Sequence, residues 1–225
     1  MAKVNLERRA EIGLAKRVRT RAAVLEAARA CYAAPTAAPI TVDAVMQAAG
    51  LAKGTFYVHF QDLAALEVEL AAALIEELDR RLQPARLAAD HPLTRIATAV
   101  TILLHDLASA PPRARLVARA LAAVPEVGDA MRAHLRQDLR AARAEDLLEM
   151  NSIDVAALVV AGLVEQAVRE IGNGRVDKKA VPDLVRAILR AIGCTPPDAA
   201  MYAEEAARHA KAFPQRTVSL DGVRS

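Results

Sequence analysis

Apolar residues recur along most of this chain three and four positions apart, the spacing that places them on one face of an α-helix. Prolines and glycines separate the apolar segments, and no segment shows the convincing alternation of a β-strand. The chain is therefore predicted to be all-α. The predicted helices cover about 16–33, 42–49, 53–60, 63–82, 93–108, 113–123, 126–148, 153–171, 180–192 and 197–213.

The composition supports helices and argues against a membrane span. Of the 225 residues, 54% are hydrophobic but only 3% are aromatic, so alanine and leucine, both strong helix formers, must fill most of the core. The longest apolar run, residues 155–164, has ten residues, whereas a spanning helix needs about 20. Residues 1–21 are charged throughout, unlike a secretory signal. We expect a cytoplasmic protein with no membrane partner and with two reduced cysteines.

The small net charge of +3 is unevenly placed along the chain. Residues 1–60 carry a net charge of +5, and the remaining 165 residues carry −2. A basic end on a nearly neutral body is typical of a protein with a polyanionic partner. Charge alone leaves open a second interpretation, a solvated and partly disordered tail.

Residues 41–60 combine two short helices with a tight turn. Thr41 suits the N-cap of the first helix because its hydroxyl can accept a backbone N–H of the first turn, and Gly50 can take the positive φ that ends that helix. The second helix has under three turns and needs anchors, for which Phe56 and Phe60 lie four residues apart on one face. Such a unit is a helix-turn-helix, whose second helix can enter the major groove of DNA.

The face opposite the two phenylalanines carries small and polar residues suited to DNA. Gly54 would let the backbone approach a flat surface, although glycine costs about 1 kcal/mol relative to alanine in a helix. Polar side chains here, and arginines of the preceding arm, can donate to phosphates or base edges. The predicted DNA contacts are Thr41, Lys53, Gly54, Thr55, Tyr57, His59, Arg17, Arg19 and Arg21. The alternative is a short packing helix with ordinary polar residues outside.

The stretch TVDAVMQAAGLAKGTFYVHF resembles the DNA-binding motif of the TetR family of bacterial transcriptional regulators. The family pattern has a threonine opening the first helix of the motif, an Ala-Gly turn, then Lys-Gly-Thr, and later a tyrosine and an aromatic or histidine before a phenylalanine. The matching positions are Thr41, Ala49, Gly50, Lys53, Gly54, Thr55, Tyr57, His59 and Phe60. The strong match covers about residues 18–70, and the rest agrees only in helix number and length.

Two positions depart from the family pattern. Ala52 stands where the family usually has a serine that caps the recognition helix and touches phosphate, and a lost cap of this kind costs about 1 kcal/mol. Leu63 stands where the family usually has a lysine near a phosphate. We therefore expect fewer ionic contacts to DNA and a shallower salt dependence, with the arm arginines as compensation.

The resemblance implies a three-helix DNA-binding unit joined through a fourth helix to a helical body that binds a small effector and forms a two-fold dimer. The corresponding boundaries are 1–62 for the arm and DNA-binding domain, 63–195 for the effector-binding and dimerisation domain, and 196–225 for a C-terminal extension. The function then expected is that of a repressor, which binds double-stranded DNA at an inverted-repeat operator and is released by the effector.

Two sets of body residues are candidates for these roles, and each could instead belong to the monomer core. An apolar, uncharged or weakly acidic effector fits better than a quaternary cation, since only two aromatic residues follow Phe60. The predicted pocket residues are Leu103, Leu104, Leu107, Arg119, Met131, His134 and Leu135. The predicted dimer residues are Leu158, Gly162, Leu184, Ile188 and Ala191.

Other functions are compatible with parts of the sequence. A protein of this fold could repress constitutively or act as an architectural DNA-binding protein without an effector. An enzyme is not expected, because the five histidines lack metal-ligand spacing and there is no nucleophile elbow. The glycines of GNG (172–174) follow no strand, so a dinucleotide loop is not expected, and neither is any cofactor or metal.

Overall fold

The structure, a computed structural model of the chain, describes residues 2–33, 39–150 and 152–212. These residues form ten α-helices and two short 3₁₀ turns, which confirms the all-α prediction. The turns lie at Pro125–Gly128 and Lys178–Ala180. The helices are α1 (Ala2–Ala33), α2 (Val42–Ala48), α3 (Lys53–His59), α4 (Leu63–Leu87), α5 (Pro92–Ala108), α6 (Pro111–Ala123), α7 (Asp129–Ala144), α8 (Ile153–Gly172), α9 (Val181–Ala191) and α10 (Pro196–Ala212).

Helices α1 to α3 and the start of α4 share a small core, which we call the head. Phe56 and Phe60 are buried there, so their prediction as anchors of the short helix is confirmed. Two residues of α6 also enter this core, which fixes the head against the rest of the chain. The buried residues of the head are Val24, Ala28, Tyr32, Val45, Met46, Phe56, Phe60, Leu66, Leu70, Ala71, Leu116 and Ala120.

The turn between α2 and α3 has the hydrogen bonds of a glycine-ended helix. Gly50 takes a φ of +65°, and its N–H bonds to the Gln47 carbonyl at 3.1 Å. The Leu51 N–H bonds to the Met46 carbonyl at 3.0 Å, which completes the pattern in which a left-handed residue satisfies the last carbonyls. The predicted role of Gly50 is confirmed, and this reversal sets α3 across α2.

The larger core, which we call the body, lies among α4 to α10. Helix α10 packs against α5 and α9, and Tyr202 is buried at that contact. The Tyr202 hydroxyl lies 3.1 Å from His91 Nε2, and the two rings stack with centroids 4.5 Å apart. The segment predicted as a C-terminal extension is thus part of the body core through residue 206. The last dozen residues, 214–225, which the sequence suggests are a loose tail, lie outside the described residues, as does residue 213.

Three predicted helix boundaries are wrong. Helix α1 begins at Ala2 rather than near Lys16. Helix α4 continues through Pro84 to Leu87. Proline lacks the backbone N–H that would bond within the helix. Pro84 is exposed, and the packing of the buried Ala85 beside it holds the chain in the helix.

The third error concerns the helix predicted over 126–148. It divides into a 3₁₀ turn and α7. Helix α7 ends at Ala144, and Asp146, two residues later, takes a φ of +55°. The Leu147 N–H bonds to the Ala142 carbonyl at 3.0 Å, the same termination that Gly50 makes after α2. An aspartate at this position is a weaker sequence signal than a glycine.

No helix among the described residues is long and apolar enough to cross a membrane.

The caps of α2 and α3 give a first prediction. Thr41 Oγ1 accepts the Ala44 N–H at 3.2 Å, whereas Ala52 has an extended N-cap conformation (φ −70°, ψ 143°) and no side chain to accept. Ala52→Ser should therefore raise the free energy of unfolding by about 1 kcal/mol, and Thr41→Ala should lower it by a similar amount. Urea denaturation of both variants checks this. A loss at Thr41 with no gain at Ala52 would contradict the view that α3 lacks a cap.

Candidate functional site

Helix α3 exposes large side chains on the face turned away from the head core. Tyr57 is 57% exposed and Val58 is 58% exposed, while Phe56 is fully buried. The Phe56 and Tyr57 rings meet edge to face with centroids 5.3 Å apart, so the buried ring positions the exposed one. An exposed aromatic side chain on a firmly anchored helix offers a contact surface whose position is fixed before any partner binds.

Gly54 lies exposed in the first turn of α3. A Cβ built at this position would meet nothing within 4 Å in the described part of the chain. Its φ is not positive, so alanine would fit the backbone as well. No internal contact therefore explains a glycine that weakens the helix.

Lys53 and Thr41 both have partners within the helix-turn-helix. Lys53 Nζ lies 2.9 Å from Asp43 Oδ2, and this hydrogen bond raises the pKa of Lys53. Both side chains are exposed, so Lys53 can exchange this partner for another anion with little change in burial. Thr41 uses its oxygen as the α2 cap, and Thr55 is half-buried beside Gly54.

The three arginines predicted as arm contacts lie on α1 and differ in their surroundings. Arg17 donates to the Val58 carbonyl at 3.3 Å, so it reaches the end of α3, and Arg19 is exposed. Arg21 instead forms a two-pronged ion pair with Glu69 of α4, with its guanidinium 4.6 Å from the Phe60 ring centroid. Arg21 thus joins α1 to α4, and its role as a DNA contact stays a prediction.

His59 lies half-buried at the end of α3. Partial burial, together with Arg17 and Arg21 nearby, lowers the pKa of His59 below its usual value near 6.5. At neutral pH the ring is therefore uncharged, and it can offer one donor and one acceptor rather than a positive charge.

A polar cluster, which we call the junction triad, links the head to the body. Glu67 of α4 accepts from both the Tyr32 hydroxyl of α1 and Arg119 of α6, and Arg119 also donates to the Tyr32 oxygen at 3.3 Å. Burial and the bond to Glu67 raise the pKa of Tyr32. Arg119 was predicted as a pocket residue; its guanidinium is bound to Glu67, and it does not line the cavity of the body.

The body contains a cavity of about 120 Å³ between α4, α5, α6, α7 and α8, which we call the body cavity. Five of the predicted pocket residues line it. Leu104 does not line it, because that side chain is fully buried in the packed core on another side of α5. The lining residues that were predicted are Leu103, Leu107, Met131, His134 and Leu135.

One side of the body cavity is polar, and sequence reasoning missed most of it. Asp79, Gln83 and Arg86 recur at spacings of four and three along α4 and so share one helix face. They meet His134 and Asp138, four residues apart on α7. Their spacing of three and four residues is the sequence signal that could have grouped them on one helix face.

An exposed apolar patch lies on α8. Leu158 is 72% exposed and Val155 is 49% exposed, and a Cβ at Gly162 would meet nothing within 4 Å. Of the α9 residues predicted for the same surface, Ile188 is buried in the core of the single chain. The other two α9 residues, Leu184 and Ala191, are half-buried.

The junction triad gives a second prediction. Tyr32→Phe and Glu67→Gln should each lower the free energy of unfolding by about 1 kcal/mol, since each weakens a largely buried hydrogen bond. The double variant should cost less than the two losses added, with a coupling of at least about 0.5 kcal/mol by chemical denaturation. Tyr32→Phe combined with Asp183→Asn, an exposed acid of α9, should be additive. Additivity in both pairs would contradict a shared network.

No protein-family model and no curated protein matches the sequence, but solved structures match over most of the chain. RolR in complex with resorcinol matches with a TM-score of 0.65 at 19% identity, covering 84% of this chain and 95% of RolR. FadR from Bacillus subtilis in complex with stearoyl-CoA gives 0.59 at 14% identity, covering 76% and 98%. A TetR transcriptional regulator from Rhodococcus sp. RHA1 gives 0.54 at 24% identity, covering 77% and 94%. The chain has the fold of TetR-type transcriptional regulators, a helix-turn-helix head joined to a helical body.

Proposed function

We propose that the chain is a cytoplasmic TetR-type repressor that binds an inverted-repeat operator as a homodimer and is released by a small molecule in the body cavity. The observation that carries the proposal is the exposed face of α3, where Tyr57 and Gly54 lie open on a helix whose other face is anchored. The resemblance of residues 41–60 to the TetR motif and the shared fold support it.

DNA accounts for the features of α3 that internal packing leaves unexplained. A glycine at position 54 leaves room for a groove edge to approach the backbone. Lys53, Thr55, Tyr57 and His59 can then supply donors to phosphates and bases. Arg17 and Arg19 extend the same basic surface along α1, and Arg17 already reaches the end of α3. Arg21 contributes indirectly, by fixing α1 to α4.

A homodimer gives such a head its specificity. Two heads related by a two-fold axis contact half-sites about 34–36 Å apart. The dimer therefore recognises a longer DNA sequence than one short helix can. The apolar patch at Val155, Leu158 and Gly162 on α8 is the candidate contact, with the half-buried Leu184 and Ala191 at its edge. A glycine there permits two helices to approach closely.

Release by an effector would act through helices that belong to both units. On α6, Leu116 and Ala120 enter the head core while Val117 and Leu121 line the body cavity. A ligand that preferred one arrangement of α4 and α6 would shift the spacing of the two heads by its differential affinity. Two of the structural neighbours are complexes with small organic molecules, resorcinol and stearoyl-CoA, which supports an effector for this chain.

A second candidate function is repression without an effector. The volume of the body cavity, about 120 Å³, favours it, because ligand sites usually measure about 300–1,000 Å³. In that case the cavity is a packing defect, and the junction triad holds the heads permanently in their binding arrangement.

Selection from a random duplex library tests the proposal. The full-length protein should enrich an inverted repeat, and its affinity for that repeat should fall linearly with salt on logarithmic axes. Failure to enrich any motif at moderate salt would overturn the specific-repressor function. A motif that is bound equally in the presence of every small molecule tried would favour the effector-independent alternative.

Tyr57 and Phe56 form a matched pair for a third prediction. Tyr57→Ala should weaken operator binding by about 1–3 kcal/mol, the value of a lost specific contact, with stability within about 0.5 kcal/mol of the wild type. Phe56→Ala should lower the free energy of unfolding by about 3–5 kcal/mol, because it empties a fully buried site. Fluorescence anisotropy and denaturation measure the two effects. Equal losses of stability and binding for Tyr57→Ala would make Tyr57 a core residue.

The α8 patch gives a fourth prediction. Leu158→Asp should leave the monomer folded, because the side chain is 72% exposed, but it should dissociate the dimer at micromolar concentration. Sedimentation velocity measures the assembly state. Leu87→Asp, at a leucine of α4 that is 62% exposed, is the control and should leave the dimer intact. A dimer that survives Leu158→Asp would place the interface elsewhere.

A further inference from the structure

The size and walls of the body cavity restrict what can occupy it. Its volume is about 120 Å³, and an apolar cavity of about 150 Å³ admits one benzene-sized molecule. Leucine, isoleucine, valine, alanine and methionine side chains of the surrounding helices form most of the lining. The cavity therefore suits a single small ring rather than a long or highly polar molecule.

The positive charges that line the body cavity are already neutralised. Arg86 NH1 donates to Asp138 Oδ2 at 2.5 Å, and both side chains are almost fully buried. Arg132 NH2 lies 2.9 Å from Asp129 Oδ1, and its NH1 lies 3.8 Å from Glu165 Oε1. A carboxylate ligand would have to break one of these pairs, which would leave a buried charge uncompensated. The cavity therefore disfavours anions.

The hydrogen bonds of the polar row have a fixed direction. Arg86 donates to Gln83 Oε1 from Nε at 3.2 Å and from NH2 at 3.0 Å, so the Gln83 amide must turn its Nε2 toward Asp79. Gln83 Nε2 then donates to Asp79 Oδ1 at 3.1 Å. His134 Nδ1 lies 3.1 Å from the same oxygen and 2.9 Å from Gln83 Nε2. Donation thus runs along α4 and ends at the Asp79 carboxylate.

Asp79 keeps acceptor capacity at the end of this row. Both neighbours converge on its Oδ1, and within the described ranges no protein group donates to its Oδ2. The side chain is 15% exposed and lines the cavity. A ligand that fills the cavity displaces water from this oxygen, so the carboxylate then needs a hydrogen-bond donor from the ligand.

A hydroxyl matches that need better than an ammonium group. An ammonium brings three donors into a cavity whose other acids, Asp138 and Glu165, are already paired with arginines, and each unmatched donor is costly to bury. None of the described residues lining the cavity offers an aromatic face to a cation. A neutral hydroxyl brings one donor, which Asp79 accepts.

We propose that the effector is a neutral, ring-sized apolar molecule whose single hydroxyl donates to Asp79. Calling the bound molecule an effector rests on the proposed function. Asp79 lies on α4, which also enters the head core through Leu66 and Leu70. The hydroxyl would therefore bind to the same helix that positions the head.

Calorimetric titration of the full-length protein without DNA tests the ligand class with four probes. Phenol represents the proposed ligand, fluorobenzene lacks the donor, and benzoate and cyclohexylammonium carry the two charges. Phenol should bind at least about tenfold more tightly than each of the others, the value of one charge-assisted hydrogen bond. Tighter binding of benzoate or cyclohexylammonium, equal binding of fluorobenzene, or no saturable binding by any probe would overturn the proposal.

Two variants of α4 locate the preference. Asp79→Asn should bring the phenol affinity to within about threefold of fluorobenzene, because the charge that strengthens the bond is lost. Glu76→Gln, an exposed acid one turn earlier on the same helix, should change neither affinity. A phenol preference that survives Asp79→Asn would refute the role of Asp79, and the wild-type probe series stands by itself if that variant fails to fold.

The DNA selection and the probe series fail independently. If phenol is preferred over the other probes but no DNA motif is enriched, the proposed repressor function is wrong and the hydroxyl-binding site stands. If a DNA motif is enriched but phenol is not preferred over the other probes, the repressor function stands and the proposed ligand class is wrong. If both hold, saturating phenol should weaken operator binding by the wild type and not by Asp79→Asn.

Discussion

The burial of α4 in two cores is the constraint on which the rest of the structure depends. Its first turns place Leu66 and Leu70 among the anchors of the head, and its next turns place Ile75 and Leu78 in the body. One continuous helix cannot satisfy both cores unless the head keeps a fixed orientation to the body. Arg21 and Glu69 reinforce the head end of this arrangement across the α1–α4 contact.

A second shared helix makes the connection between head and body stiff rather than hinged. Consecutive residues of α6 point to different sides, so Leu116 serves the head core while Val117 lines the body cavity. The junction triad adds directional hydrogen bonds where α1, α4 and α6 meet. Because packed cores move between discrete arrangements rather than deforming smoothly, a small change at the cavity can be transmitted to α3 as a rigid-body shift.

Short sequence patterns predicted the helices and the turn between α2 and α3. Contacts between residues far apart in the sequence determined the features that those patterns missed. Gly50 and the spacing of Phe56 and Phe60 specify the helix-turn-helix within twenty residues, and the structure confirms those features. Pro84 reads as a helix end, yet its neighbours are buried and the helix continues. The partners of Arg21 and Arg119 are 48 and 52 residues away, so no local pattern could predict these two ion pairs.

The weakness of α3 and the openness of its outer face have one physical cause. The helix has seven residues, no side-chain cap at Ala52 and a glycine in its first turn, so its own sequence does little to hold it together. Its stability comes from the two phenylalanines on the inner face, which bind it to the head core. The inner face thereby supplies the stability of α3, which leaves the outer residues available for the partner proposed above without carrying the fold.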